Sequence, residues 1–145
     1  MTVLRLFLSL VFLVFAANSA AAEPFLSKYL ADVASADLVA GANSFGAIRE
    51  DVPVAPVLKD GETIGWVFIT SDFVSTTGYS GKPIHTMVAV DKDARVIGVQ
   101  LVKHSEPIVL IGIPDSKMKA LAADYVGLDL VAEAQSGGTS HDLDI

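Results

Sequence analysis

Residues 78–107 read GYSGKPIHTMVAVDKDARVIGVQLVKHSEP, and the way this stretch parses decides the fold. It opens on a glycine-bracketed turn, Gly78-Tyr79-Ser80-Gly81. An apolar run follows from Ile84 to Val90, then a polar turn, Asp91-Lys92-Asp93-Ala94, then a second apolar run from Val96 to Val102. The stretch closes on His104, Ser105 and Glu106, capped by Pro107. Two β-rich runs joined by a short polar turn predict a β-hairpin. A hairpin brings its two ends together, so the GYSG turn and the His-Ser-Glu-Pro cluster are expected to be neighbours in space.

Working upstream, Asp60-Gly61 is a strong two-residue hairpin signal between Val57–Lys59 and Glu62–Thr70. Asp51–Pro56 carries two prolines and is expected to be extended at a sheet edge. Phe25, Leu26, Tyr29, Leu30 and Val33 recur at helical spacing and predict one helix over 24–39, with Gly41 and Asn43 as its stop. Downstream, Pro114 predicts the start of a helix that Gly127 ends. Leu128–Val131 reads as a short strand, Ala134–Ser140 as a flexible loop, and His141–Ile145 as the beginning of another strand. Two hairpins with helices before and after them give an α+β domain, an antiparallel sheet of hairpins with flanking helices.

Composition narrows the function classes. The 145 residues fit one domain. Met1–Arg5 is a short basic start, Leu6–Ala17 is apolar apart from Ser9, and Ala20-Ala21-Ala22 precedes Glu23-Pro24. That pattern predicts a secretory signal peptide over 1–22, with the domain occupying 23–145. The apolar run is shorter than the roughly 20 residues a membrane span needs. A formal charge of −7 argues against nucleic acid as a partner. With no cysteine, the sequence offers neither disulfides nor thiolate ligands for zinc or iron–sulfur clusters.

Several motifs carry candidate chemistry, each with a plainer alternative. The two glycines of Gly78-Tyr79-Ser80-Gly81 let backbone amides approach a ligand, Ser80 offers a hydroxyl and Tyr79 a ring. The same residues also make an ordinary turn. His104 and Glu106, two apart, would face one side of a regular strand and form an acid–base or orienting pair, or simply a solvated strand end. Ser136-Gly137-Gly138-Thr139 is a modified or phosphate-binding loop or a flexible tail. His85, His104 and His141 lack metal-ligand spacing.

The stretch TTGYSGKPIHTMVAVDKDARVIGVQLVKHSEPIVLIGIP, 76–114, resembles the exported flavin-binding domain of the NosR/NirI family. AGANSFGAI at 40–48, APVLKDGETIGWVFITSD at 55–72 and DYVGLDLV at 124–131 extend the resemblance over most of 37–131. It implies a domain of the FMN-binding type on the periplasmic side of the inner membrane, supporting nitrous oxide reductase in denitrification by electron transfer or regulation. It further implies FMN joined to a threonine by a flavin transferase, with nitrous oxide reductase or its maturation system as partner. Membrane helices and cysteine-rich modules would follow the domain. The chain departs from the family's Ser-Gly-Ala-Thr-x-Thr motif, offering only Ser136-Gly137-Gly138-Thr139-Ser140-His141. The expectation is therefore that the flavin-bearing threonine lies past Ile145 and that the C-terminal part of the domain is missing, with Thr139 the fallback acceptor. By resemblance, Gly78, Tyr79, Ser80, Gly81, His104 and Glu106 are expected near the flavin, Tyr79 to stack and His104 to tune charge. Two other readings stay open: a non-redox sensory or scaffold module of the same fold, and a non-functional fragment.

Overall fold

The computed structural model describes residues 22–107 and 112–136. Five strands, β1 (Ser44–Phe45), β2 (Ala55–Lys59), β3 (Glu62–Ile69), β4 (His85–Val90) and β5 (Val96–Lys103), form one antiparallel sheet in sequence order. With helices before and after the sheet, the domain is α+β, as the hairpin pattern predicts.

Local chemistry sets both predicted hairpins. Between β2 and β3, Asp60 (φ 52°) and Gly61 (φ 86°) take the left-handed conformations of a two-residue turn whose twist matches the strands. The Asn43 side chain braces that turn by donating to Asp60 Oδ1 at 3.0 Å. Between β4 and β5, Asp91 Oδ1 accepts the backbone N–H groups of Asp93 (2.9 Å) and Arg95 (3.0 Å). Those hydrogen bonds hold its carboxyl below the usual carboxylate range, Arg95 N–H contributing most. Ala94, at φ 58°, completes the turn.

Strand alternation then sorts the side chains. Val67 and Ile69 of β3, and His85, Met87 and Ala89 of β4, point to the buried face. Val57 from β2 joins them, and Leu26, Val33 and Leu38 cover that face from the N-terminal segment. Leu26, Val57, Val67, Ile69 and Met87 are fully enclosed, each burial contributing about 1.5–3 kcal/mol.

The N-terminal segment departs from the single helix expected over 24–39. It is α1 (Phe25–Tyr29), one 3₁₀ turn (Leu30–Asp32), an extended step through Val33 and Ala34, and α2 (Ser35–Leu38). Asp72 pins the start, its carboxylate accepting the N–H groups of Phe25 at 2.6 Å and Leu26 at 2.9 Å. Leu26, Val33 and Leu38 must all reach the sheet, and a straight helix would swing one of them away. Packing therefore overrides helical propensity.

The prolines also sit differently from expectation. Pro56 lies inside the sheet, opposite Trp66 of β3, while the two-residue β1 takes the edge. Gly46 donates its N–H to the Pro56 carbonyl at 2.8 Å, and a Cβ at Gly46 would run into the proline ring.

At the other end, α3 (Asp115–Ala123) begins after Pro114, and Gly127 (φ 96°) follows its last turn, both as predicted. The strand expected over Leu128–Val131 is reduced to an isolated bridge between Asp129 and Arg95. Asp129 Oδ1 instead accepts the N–H groups of Val131 (3.1 Å) and Ala132 (3.0 Å), and the chain enters α4 (Leu130–Ser136). An aspartate just ahead of a helix satisfies orphan amides, which a strand would not require. Helix α4 thus takes the first three residues of the loop expected over Ala134–Ser140. Thr139, the strand expected at His141–Ile145 and the leader up to residue 21 lie outside the described residues.

Candidate functional site

The two ends of the β4–β5 hairpin meet. The turn is closed by Gly81 N–H donating to the Gly78 carbonyl and Gly78 N–H donating to the Lys82 carbonyl, both at 3.0 Å. Thr77 and Pro83 bridge beneath it. Gly81 takes φ 72°, a conformation that favours glycine. Ser80 Oγ then donates to Glu106 Oε1 at 2.8 Å, across 26 positions of sequence. This charge-assisted bond ties the turn to the segment leaving β5. Gly78 makes the approach possible, because a Cβ there would coincide with the Glu106 carboxylate.

The expected His104–Glu106 side-chain pair takes another form. Strand β5 ends at Lys103, so the alternation that would align the two side chains has already stopped. Glu106 turns its carboxylate to Ser80 and donates its backbone N–H to His104 Nδ1 at 3.3 Å. With Nδ1 an acceptor, the neutral imidazole carries its proton on Nε2. Tyr79 is 94% exposed, with its ring projecting from the turn. The fixed elements are therefore Ser80 and Glu106; Tyr79 is presented to whatever approaches.

His104 also lines a cleft of about 810 Å³ between α2, β5 and α3. Leu38, Val99, Leu101, Met118 and Ala122 supply its apolar walls, and Lys103 and Lys119 its cations. Gly98 keeps α2 close against β5, since a Cβ there would meet the Leu38 carbonyl. The two lysines lie 16 positions apart in sequence, and only the packing of α3 on β5 brings them to one cleft.

A second polar cluster is buried in the core. His85 is 6% exposed, and its Nδ1 shares a 2.6 Å hydrogen bond with Ser71 Oγ. The rings of Phe25 (centroid 4.5 Å) and Tyr29 (5.3 Å) pack on the imidazole. Burial pushes its pKa below 6.5; Lys28 and Lys103 push the same way and Asp72 opposes them. The signal was present in the alternation His85, Met87, Ala89, which marks the core side of β4. Among the described residues, no group of three His, Cys, Asp or Glu could hold a metal ion, and no helix is long and apolar enough to cross a membrane.

Comparison with known proteins yields three relatives. The chain is 34% identical over 129 residues to the protein NirI of Paracoccus denitrificans, matching 87% of this chain and 18% of that protein. It is 30% identical over 113 residues to the regulatory protein NosR of Stutzerimonas stutzeri, covering 78% of this chain and 16% of the relative. Against the regulatory protein NosR of Pseudomonas aeruginosa it is 40% identical over 78 residues, or 54% and 11% of the two chains. It thus spans less than a fifth of the length of each. No family model and no solved structure matches it.

Proposed function

This chain belongs to the NosR/NirI family, and from that premise we propose that it is a periplasmic FMN-binding domain with an electron-transfer or regulatory role in nitrous oxide respiration. The observation that carries the proposal is the junction at the open end of the β4–β5 hairpin. There the Ser80–Glu106 bond holds the turn against the segment leaving β5, Tyr79 is exposed and His104 stands beside a cleft.

The residues fit one part of the cofactor better than another. An exposed phenol ring and a glycine turn suit a planar ring system. The Glu106 carboxylate does not suit a phosphate. This favours a phosphate held elsewhere, in keeping with the threonine linkage that the family resemblance implies. When bound, the flavin supplies the electron-carrying chemistry. The chain's residues supply position and polarity: the Ser80–Glu106 bond fixes the turn, Tyr79 covers a ring face, and His104 Nε2–H donates a hydrogen bond. A flavin transferase, the nitrous oxide reductase system and association with the inner membrane complete the proposed setting.

The test is to export the chain in a cell that supplies a flavin transferase, then record flavin absorbance on the folded protein and fluorescence after denaturation. Flavin absorbance supports the reading, and fluorescence persisting on the denatured polypeptide identifies a covalent link. A folded chain that carries no flavin and does not change the fluorescence of added FMN would overturn it in favour of a sensory or scaffold module.

A further inference from the structure

We infer that the cleft between α2, β5 and α3 is the receptor for the isoalloxazine ring system, with His104 at the end of β5 as one of its walls. The inference rests on the proposed flavin binding and adds where the ring goes and which residues hold it.

The turn alone gives a ring little shelter. Tyr79, at 94% exposure, can cover one face of a planar group, but a ring lying on it would keep its other face in water. Small-molecule sites are concave, mostly apolar, and about 300–1,000 Å³ in volume. The cleft, at about 810 Å³, falls in that range. Its walls come from three elements: Leu38 of α2, Val99 and Leu101 of β5, and Met118 and Ala122 of α3. The methionine thioether adapts to an aromatic surface. Its polar side chains are Asp37 of α2, Gln100 and Lys103 of β5, His104 just past that strand, and Lys119 of α3. In a chain of net charge −7, Lys103 and Lys119 beside this cleft form a local inversion of sign, offset by Asp37 among the charged lining residues.

That inversion selects the ligand class. A ring whose reduced form is anionic gains from nearby cations, whereas a neutral apolar molecule does not. Hydrogen-bond donors beside the ring carbonyls act in the same direction. His104 qualifies in its neutral form: the Glu106 N–H approaches Nδ1 at 3.3 Å, an arrangement that puts the proton on Nε2. The Ser80–Glu106 bond then has a second consequence: it anchors the segment that leaves β5 directly after His104.

The experiment is an amide-resolved NMR titration of the ¹⁵N-labelled protein with FMN to millimolar concentration, with inorganic phosphate as the parallel probe. Saturable shifts at Val99–His104 and Met118–Ala123 with FMN, absent with phosphate, are the expected result. A companion variant, Ala122→Leu, narrows the cleft while keeping a good helix former. It should weaken FMN binding at least tenfold while leaving amide dispersion outside the cleft unchanged. Shifts confined to Gly78–Lys82 would overturn the cleft assignment and leave flavin binding standing. Equal shifts with phosphate would mean that the lysines attract any anion, and would also overturn the assignment. The absence of any FMN-dependent shift would count against flavin binding itself and the cleft with it.

Discussion

Removing the hydroxyl of Ser80 tests whether the hairpin ends are held together by the bond described here. Ser80 Oγ and Glu106 Oε1 are 2.8 Å apart and half-buried. Hydrogen bonds to charged groups contribute about 1.5–3 kcal/mol, and partial exposure places this one at the low end, about 1.5 kcal/mol. The Ser80 N–H, at 3.4 Å from the same oxygen, lies beyond the usual range and adds little. Ser80→Ala and Glu106→Ala, alone and together, form a double-mutant cycle whose coupling term should be about 1–1.5 kcal/mol. Urea unfolding reads it: with a slope of about 1–3 kcal/mol/M, a loss of 1.5 kcal/mol moves the midpoint down by roughly 0.5–1.5 M. The turn's own backbone bonds should survive in each variant, since they involve neither side chain. A coupling below about 0.5 kcal/mol, within the additivity of independent sites, would refute the claim that this bond joins the turn to the cluster.

Other consequences concern the core, the cleft and the exposed ring. Since the folded state holds His85 below 6.5, its unfolded state binds the proton more tightly; stability should be full above about pH 6.5 and fall as pH drops below it. Comparing urea midpoints at pH 7.5 and 5.5 should reveal that slope in the native chain, and a flatter one in His85→Gln. Gly98→Ala sets a Cβ against the Leu38 backbone carbonyl and should cost about 1–3 kcal/mol by thermal melting. An unchanged melting point would mean that α2 does not sit against β5. Met87→Ala, at a fully enclosed site, should lose about 2–5 kcal/mol. Tyr79→Ala should stay within about 0.5 kcal/mol of native stability, because its side chain makes almost no contact with the protein. A large loss at Tyr79 would show that the ring is structural.

The sequence by itself determined the hairpins. Asp60-Gly61 and Asp91–Ala94 have few backbone options, and a period of two fixes which side chains share a face, so β2–β3 and β4–β5 were legible along with the meeting of their ends. The family was legible for a related reason: its motifs are contiguous strings, the longest of them in those same hairpins. Tertiary structure alone decided what depends on distant partners. Asp72 capping Phe25 and Leu26 from 47 and 46 positions away, and three apolar residues reaching one sheet, broke the N-terminal helix in two. Glu106 chose Ser80 over His104 because β5 ends at Lys103, a boundary that composition does not mark. Lys103 and Lys119 share a cleft only because α3 folds back along β5. Turn and alternation signals act over a few residues and can be read from the string. Caps, latches and clefts join residues far apart in the chain, so they become visible only once the chain is packed.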